Sequence, residues 1–437
     1  MAEPEMPAPA SQPPQQRQSQ GPVLDFFADL GPGLITGAAD DDPSGIATYS
    51  QTGAQFGYAQ LWIALFATPF MIAIQEMCGR IGLVTGRGLA SVIKARFGKT
   101  VLLIAVALLL VANTVNIGAD LGAMASSAQL VFGGGFMIWI IGMVVFILCL
   151  EIFITYKTYS RYLKYFALTL LAYIAAAFAV KQDWAQILRS VFVPTVIMSK
   201  DYFFNLVAIL GTTISPYLFF WQTSEENEEE IASGKLKAMD EGAPKVTARD
   251  IKGMRFDTIA GMIFSNIITF FIIATTASTL GRAGIMNVST ATEAAAALRP
   301  LAGPFTSIIF ALGVIGTGLL AVPVLAGSAS YAVAETLGWH SGLYRKFKDA
   351  HGFYGIITIA TLVGILINFM GIPPFRLLYY AAALNGIIAP VLMALILLVA
   401  GNKLIMGRYA NGPLAKIFGW TATAAMFAAS VALFVMS

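Results

Sequence analysis

Apolar stretches of about 20 residues, long enough to cross the hydrocarbon core of a bilayer as a helix, recur along the whole chain. The stretches are continuous rather than alternately apolar and polar, which favours helices over a transmembrane barrel. Short polar segments separate them. The pattern predicts eleven spans, near residues 33–57, 60–80, 101–131, 136–156, 162–181, 203–224, 254–281, 304–334, 353–371, 376–400 and 415–436.

The composition agrees with a polytopic helical membrane protein and excludes a soluble one. Of the 437 residues, 57% are hydrophobic and 12% are charged, whereas soluble domains carry roughly 25% charged residues. The net charge of +3 is too small to indicate a nucleic-acid partner. Cys78 and Cys149 lie inside apolar stretches, so we interpret them as packing residues. Residues 1–22, rich in Pro, Gln and Ser, predict a disordered cytosolic tail.

The basic residues predict how the chain is oriented in the membrane. If the N-terminus is cytoplasmic, 21 of the 27 Lys and Arg residues fall in cytoplasmic segments, as the positive-inside rule requires. Eleven spans then place the C-terminus outside. We expect a multi-pass protein of the cell inner (plasma) membrane, acting as a monomer.

Two of the predicted spans are interrupted by proline in polar surroundings. Span 1 contains Asp42-Pro43-Ser44-Gly45, and span 6 contains Gly211-Thr-Thr-Ile-Ser-Pro-Tyr217. Proline breaks a helix interior because it removes a backbone hydrogen bond and clashes with the preceding turn. Each broken span is the first of five consecutive spans. Because five is an odd number, the second group of five has the opposite orientation in the membrane. Interrupted helices at matching positions of two inverted halves indicate the central site of a transporter.

This symmetry divides the chain into predicted segments. We predict a first inverted repeat at 23–181, an extracellular loop at 182–202, a second repeat at 203–400, and a region around span 11 at 401–437. The second repeat includes a cytosolic loop at 225–252. That loop begins with Glu225-Glu-Asn-Glu-Glu-Glu230, which is typical of a solvated charged segment; its alternative role is an antechamber that receives a released cation.

The carboxylate of Asp42 needs a partner or a function, because a charge at the depth of a membrane span is costly. Backbone carbonyls freed by the break, together with Asp42, would form a cation site of hard oxygen ligands. The alternative is a proline kink in which Asp42 caps the following half-helix. The second break at the matching position favours the cation site.

At these residues the sequence resembles the NRAMP family of proton-coupled divalent metal transporters. The resemblance extends over nearly the whole membrane region and includes "GPGLITGAADDDPSG", "QTGAQFGYAQLW", "GRIGLVTGRGLASV", "NIGADLG", "FALGVIGTGLLA" and "NKLIMG". It implies an all-α, LeuT-type fold of five plus five inverted spans, about eleven in total, with spans 1 and 6 discontinuous.

The chain departs from the family pattern at the positions that bind metal and protons. The family's Asp-Pro-Gly-Asn reads Asp42-Pro43-Ser44-Gly45 here, so the acid is kept and the Asn ligand is lost. The family's Met-Pro-His reads Ser215-Pro216-Tyr217, with Thr212 at the position of a metal-binding carbonyl. In span 3, Asp120 is kept, but Ala123 replaces the family's Glu.

These substitutions change the predicted ion preference. Thioether and imidazole ligands suit softer metals, whereas carboxylate, carbonyl, hydroxyl and water suit Mg2+ and Mn2+. The smaller side chains also enlarge the site, which fits a cation that keeps several waters, as Mg2+ does. The sequence is similar in this respect to a magnesium-transporting branch related to the family, so we expect Mg2+, accompanied by Mn2+.

The candidate residues fall into two groups. The expected metal ligands are Asp42, Gly45, Thr212 and Ser215. The candidates for water-mediated contact or a proton pathway are Asp41, Ser44, Asp120, Tyr217, Asn266 and Asn385. Asp40 and Asp41 add negative field that attracts a dication. The divalent cation is cargo, and no cofactor is expected.

Several other functions remain as alternatives. One is a proton-coupled Mn2+/Fe2+ transporter; another is a LeuT-type carrier of a non-metal substrate. A pore is a further possibility, although paired breaks favour alternating access. An intramembrane metalloenzyme would need stable ligands such as His within the spans, but His340 and His351 both lie between spans 8 and 9. Without the family's His and Glu, proton coupling is expected to be weak or absent.

Overall fold

The computed structural model describes residues 32–153 and 168–436, which form helices and contain no β-strand. The predicted tail at 1–22 and the first part of predicted span 5 lie outside the described residues. The helices are α1 (Pro32–Asp40), α2 (Pro43–Phe56), α3 (Trp62–Thr85), α4 (Leu89–Phe132), α5 (Phe136–Phe153), α6 (Leu171–Ala179), α7 (Trp184–Phe192), α8 (Lys200–Thr213), α9 (Pro216–Ala232), α10 (Ala248–Thr276), α11 (Thr306–Leu337), α12 (His351–Leu366), α13 (Pro374–Ala400) and α14 (Pro413–Val435). Shorter helical pieces include Ala291–Ala295, Arg299–Ala302 and Lys403–Met406, and a π-helical turn, Ala277–Gly281, extends α10.

Nine continuous or nearly continuous helical segments of the described chain are long and apolar enough to cross a membrane. They correspond to predicted spans 2–4 and 6–11. Span 1 is present as the two shorter helices α1 and α2, and the described end of span 5 is α6. The apolar pattern therefore located the spans, although their ends differ by several residues. In α4 the helix begins well before residue 101, and Gly98, with φ +84°, interrupts its regular geometry.

The two broken spans lie inside the bundle, and glycine lets them approach their neighbours closely. A Cβ atom on Gly37 in α1 would lie 2.4 Å from the carbonyl oxygen of Gly261 in α10. A Cβ atom on Gly211 in α8 would lie 2.1 Å from the carbonyl oxygen of Ala382 in α13. Backbones can come this close only where both side chains are small. These contacts fix the inner ends of the half-helices around the breaks.

Several helices present apolar faces outward, as expected of a protein that is surrounded by lipid. Along α5, Ile138, Ile141 and Val145 are exposed, whereas the α8–α9 region is mostly buried. With no water in the bilayer core, apolar side chains can face outward there and polar groups must be satisfied within the protein. Around the breaks of the half-helices, Asp42, Ser44, Thr212 and Ser215 are all buried.

The acidic run after predicted span 6 differs from expectation. Residues 225–232 continue α9 instead of beginning a loop, and Glu225, Glu226 and Glu230 are buried. Glu226 accepts a hydrogen bond from Gln222 at 2.8 Å. The prediction of a solvated segment is therefore wrong for this part, because hydrogen bonds within the fold replace water around the carboxylates. The loop begins after Ala232 and ends at Ala248.

Candidate cation site

The first break exposes backbone at Asp41 and Asp42. α1 ends at Asp40, and α2 begins at Pro43, whose missing N–H costs nothing at a first helical position. Asp42 has extended geometry (φ −68°, ψ 173°), and its side chain accepts a hydrogen bond from the Gly45 N–H at 2.8 Å. Gly45 is therefore already helical. The sequence predicted open backbone around Gly45. In the structure it lies at Asp41 and Asp42 instead, because Asp42 caps α2.

The second break lies at Ile214 and Ser215, between the end of α8 and Pro216. The Ser215 hydroxyl lies within hydrogen-bonding distance of two carbonyl oxygens of the preceding turn, those of Gly211 at 3.1 Å and Thr212 at 3.0 Å. A helix end leaves such carbonyls without an intrahelical partner. In this arrangement Ser215 satisfies its own helix end, and the Thr212 carbonyl, a predicted ligand, already receives a hydrogen bond.

The two breaks meet in the middle of the bundle. The hydroxyl oxygens of Ser44 and Thr212 lie 3.1 Å apart, although the residues are 168 positions apart in sequence. The Tyr217 hydroxyl donates to the carbonyl oxygen of Ala39 at 2.8 Å and lies 3.4 Å from Oδ2 of Asp42. Residues from α1, α2, α8 and α9 thus surround one point.

The two carboxylate oxygens of Asp42 make different contacts. Oδ1 accepts from the Ser44 hydroxyl at 2.6 Å and from the Gly45 N–H at 2.8 Å. Oδ2 lies 3.4 Å from the Tyr217 hydroxyl, a long contact. The capping role that was the alternative to a cation site is therefore present, but it occupies a single oxygen. The second oxygen, on the side of α9, remains available to a cation.

No arginine or lysine neutralises this carboxylate within the described part of the chain. The described chain has ion pairs at Glu76, Glu230, Asp240 and Asp250. None of these pairs includes Asp42. Asp42 is 1% exposed. A buried carboxylate without a basic partner favours a bound cation. No three His, Cys, Asp or Glu side chains of the described residues are grouped as a metal cage, so hydroxyls, carbonyls and water would supply the remaining ligands.

Asp120 in α4 faces the same region. It is fully buried, both of its carboxylate oxygens lack a hydrogen-bond partner among the described residues, and it interacts electrostatically with Asp42. The other two polar candidates have different surroundings. The Asn266 amide nitrogen contacts the Met71 sulfur at 2.8 Å, and Asn385 is buried in α13. No hydrogen bond joins either of these two side chains to Asp42 in the described part.

Two groups near the site were not recognised from the sequence. Ser265 of α10 lies 2.8 Å from Asp40 Oδ2 and 3.2 Å from Asp41 Oδ1. Met124 of α4 lies beside the first break: a Cβ atom on Gly318 would meet its sulfur at 2.4 Å and Pro43 at 3.3 Å. Neither position carries a local motif. Both become relevant only when distant helices pack against the first break.

Hydrogen bonds join the half-helices to one another on both sides of the breaks. On the α1 side, the Thr36 hydroxyl donates to Gln222 at 2.6 Å. On the α2 side, Asn205 donates to the Thr52 hydroxyl at 2.9 Å. Thr212 and Ser215 are at most 2% exposed. The side chains at the two breaks are therefore shielded from solvent in this structure.

Comparison with known proteins identifies the family. The model of the family described as "Natural resistance-associated macrophage protein-like" matches residues 33–436. The chain belongs to the Nramp family. This assignment confirms the resemblance inferred from the motifs in spans 1, 3 and 8.

Curated Nramp relatives align over most of this chain. A divalent metal cation transporter of Deinococcus radiodurans is 25% identical over 401 residues, covering 90% of this chain and 86% of the relative. A divalent metal cation transporter of Caldanaerobacter subterraneus is 25% identical over 411 residues, covering 90% and 89%. Both relatives are transporters, in agreement with the prediction that the chain is not an enzyme.

Solved structures show the same fold. The manganese transporter of Eremococcus coleocola matches with a TM-score of 0.72 at 15% identity, covering 95% of this chain and 88% of that one. Mhp1, a nucleobase-cation-symport-1 family transporter, matches with a TM-score of 0.59 at 13% identity, covering 93% and 94%. These similarities confirm the all-α, LeuT-type architecture of this Nramp protein. At such low identity they carry no information about its cargo.

Proposed function

We propose that this Nramp protein moves a divalent metal cation across the membrane by alternating access. The observation that carries the proposal is the meeting of the two breaks, with one oxygen of a buried, unpaired Asp42 available there. The burial of the side chains at both breaks supports a site that is shielded from solvent. The names of its curated relatives agree with a divalent cation as cargo.

Within this function, the donor set favours Mg2+, with Mn2+ as a second cargo. The side chains at the breaks offer carboxylate and hydroxyl oxygens from Asp42, Ser44, Thr212 and Tyr217. Such hard donors suit Mg2+ and Mn2+ better than Cd2+. Mg2+ is reluctant to lose its hydration water. A site with one available carboxylate oxygen and several hydroxyls can bind the cation through its retained waters.

Proton coupling is proposed to be weak or absent. His340 and His351 lie between α11 and α12 and at the start of α12, and both are exposed, so neither reaches the breaks. The membrane potential can drive uptake instead, since two charges moving inward through about 100 mV gain ~4.6 kcal/mol. We further propose an inner-membrane monomer with a cytoplasmic N-terminus and an external C-terminus, on the basis of the Lys and Arg distribution.

The direct test is uptake into proteoliposomes that contain the purified protein and an internal pH dye. The experiment offers each cation separately, namely Mg2+, Mn2+, Fe2+ and Cd2+, at a fixed inside-negative membrane potential. We expect Mg2+ and Mn2+ uptake without internal acidification, and its loss in Asp42→Ala. Asp201→Ala is the matched control, because this carboxylate is exposed at the start of α8. Transport of Fe2+ or Cd2+ without Mg2+ would refute the ion preference, and no divalent uptake at all would refute the function.

Met124 supports a second candidate, a transporter that prefers Mn2+ and Fe2+ to Mg2+. Its thioether is fully buried and packs near Pro43 at the first break. A thioether ligand would restore in α4 the soft donor that is missing at Ser215. The variant Met124→Leu conserves volume and removes the sulfur. A fall in Mn2+ and Fe2+ uptake with Mg2+ uptake unchanged would favour this candidate over the Mg2+ proposal.

A further inference from the structure

The segment between α6 and α8, predicted as an extracellular loop, contains the short helix α7. The helix begins at Trp184, and the preceding Asp183 caps it by accepting a hydrogen bond from the Gln186 N–H at 3.0 Å. Residues 193–198, which follow it, are not helical. Nine residues are too few to cross a bilayer, so α7 lies on one side of the membrane.

One face of α7 packs on the protein, and a second face is apolar but uncovered. Ile187 is fully buried in the apolar cluster that also contains Ile63 of α3. Trp184, Leu188 and Phe192 recur every four residues and therefore share the second face. These three residues are 38%, 57% and 63% exposed. Single exposed apolar residues are common on proteins, but three on one face of a short helix indicate a contact surface.

The third face of α7 is polar. Gln186 and Arg189 are exposed, and at 3.6 residues per turn they project about 60° apart around the helix axis. They point away from both Ile187 and Leu188. A helix with one face on the protein, one apolar face and one polar face is suited to lie parallel to the membrane surface, with its apolar face toward lipid and its polar face toward water.

The apolar face of α7 continues the outer surface of a membrane-spanning helix. Leu171 and Phe178 lie two turns apart on one face of α6, the described end of span 5, and both are exposed. The Phe178 ring stacks on the Trp184 ring of α7, with centroids 5.2 Å apart. The lipid that surrounds Phe178 therefore also reaches Trp184. Tryptophan is enriched at the interface between membrane and water.

The residues after α7 determine how deep the segment can lie. Four exposed apolar side chains follow the helix, those of Val193, Val196, Ile197 and Met198. Open backbone cannot face lipid inside the hydrocarbon core, because no water is present there to satisfy its polar groups. The Tyr202 hydroxyl donates to the Thr195 carbonyl oxygen and holds this segment on the first turn of α8. The segment therefore fits the boundary between headgroups and acyl chains.

We propose that α7 and residues 193–198 form an interfacial anchor, which inserts its apolar side chains among the phospholipids of one leaflet. With the orientation proposed from the Lys and Arg distribution, this is the outer leaflet. Arg189 on the polar face is placed to pair with lipid phosphate groups. The anchor leads directly into α8, so it attaches the outer half of span 6 to the membrane surface. This inference does not depend on the cargo of the transporter.

The test is spin labelling of the full chain in liposomes, on a cysteine-free background. The label is attached through Leu188→Cys or Phe192→Cys, and Gln186→Cys and Arg189→Cys are the matched controls on the polar face. At the first two positions we expect more collisions with oxygen, which dissolves in lipid, than with a water-soluble nickel chelate. Their depth should be about 5–10 Å below the headgroups. The two control positions should show the opposite preference.

Equal access of the nickel chelate to labels at Leu188 and Gln186 would overturn the proposal, because the apolar face would then lie in water. Low access of both reagents at Leu188 together with spin–spin broadening would also overturn it, because a second copy of the chain would then cover the face. If the labelled variants do not fold, the fluorescence difference between the wild type and Trp184→Phe isolates Trp184. Lipids brominated close to the headgroup should quench that difference, and absence of quenching would overturn the proposal.

Discussion

Replacement of Asp42 by Asn and by Ala separates its two roles. Oδ1 of Asp42 accepts hydrogen bonds from Ser44 and Gly45 at the start of α2, while Oδ2 is available to a cation. Asn caps a helix about as well as Asp, whereas loss of the cap to Ala costs ~1 kcal/mol. Without cation, Asp42→Ala should therefore be less stable than Asp42→Asn by about this amount. Asp42→Asn also removes repulsion with Asp40 and Asp41, so it should be at least as stable as the wild type.

A saturating cation should make the wild type more stable than both Asp42 variants. A ligand at one hundred times its dissociation constant stabilises the folded state by ~2.7 kcal/mol. The wild type gains this term, but both variants lose the carboxylate charge that binds the cation. We therefore expect Mn2+ or Mg2+ to raise the unfolding temperature of the wild type and to leave both variants nearly unchanged.

The assay is thermal unfolding in detergent, followed by intrinsic fluorescence across a cation titration, with Asp201→Asn as the control that keeps the full response. An equal cation-dependent rise in Asp42→Asn and the wild type would refute the assignment of Oδ2 as a ligand. Equal stabilities of Asp42→Asn and Asp42→Ala without cation would refute the capping role.

Three further changes test other parts of the structure. Ser215→Met places a thioether beside the second break, so the ratio of Cd2+ to Mg2+ uptake in proteoliposomes should rise. Tyr217→Phe removes the hydrogen bond to the Ala39 carbonyl (2.8 Å); an unpaired buried acceptor costs ~1–3 kcal/mol, so Mn2+ uptake should slow and the unfolding temperature should fall. Glu76→Gln weakens the buried pair with Arg80 (2.9 Å); breaking such a pair costs ~3–5 kcal/mol, which a denaturation or thermal unfolding experiment detects.

Each of these changes has a matched control. Ser215→Ala removes the hydroxyl without adding sulfur and should not favour Cd2+. Tyr380→Phe removes a hydroxyl from an exposed side chain, so it should be nearly neutral. Glu229→Gln changes an exposed carboxylate and should leave stability unchanged. If a control has the same effect as its test variant, the corresponding contact does not have the role assigned to it.

The sequence alone was sufficient for the architecture. Apolar stretches long enough for a bilayer, and proline at matching positions of two sets of spans, are local properties of the chain. They predicted helices, their approximate places and the two interruptions, and the motifs around Asp42 indicated the family. Local capping rules also allowed the start of α2 at Pro43 to be anticipated, although the open backbone was placed too near Gly45.

Only the tertiary structure decided which side chains share the site. Ser44 meets Thr212, and Asp40 meets Ser265, across separations of 168 and 225 residues, and no periodicity encodes such distances. The acidic run within α9 shows the same limit: its composition is typical of a solvated segment, yet Glu226 is buried, and Glu228 accepts hydrogen bonds from Tyr331 and from the Leu343 N–H, more than 100 residues away. Hydrophobic length is read from consecutive residues, whereas the partner of a buried polar group depends on how distant helices pack.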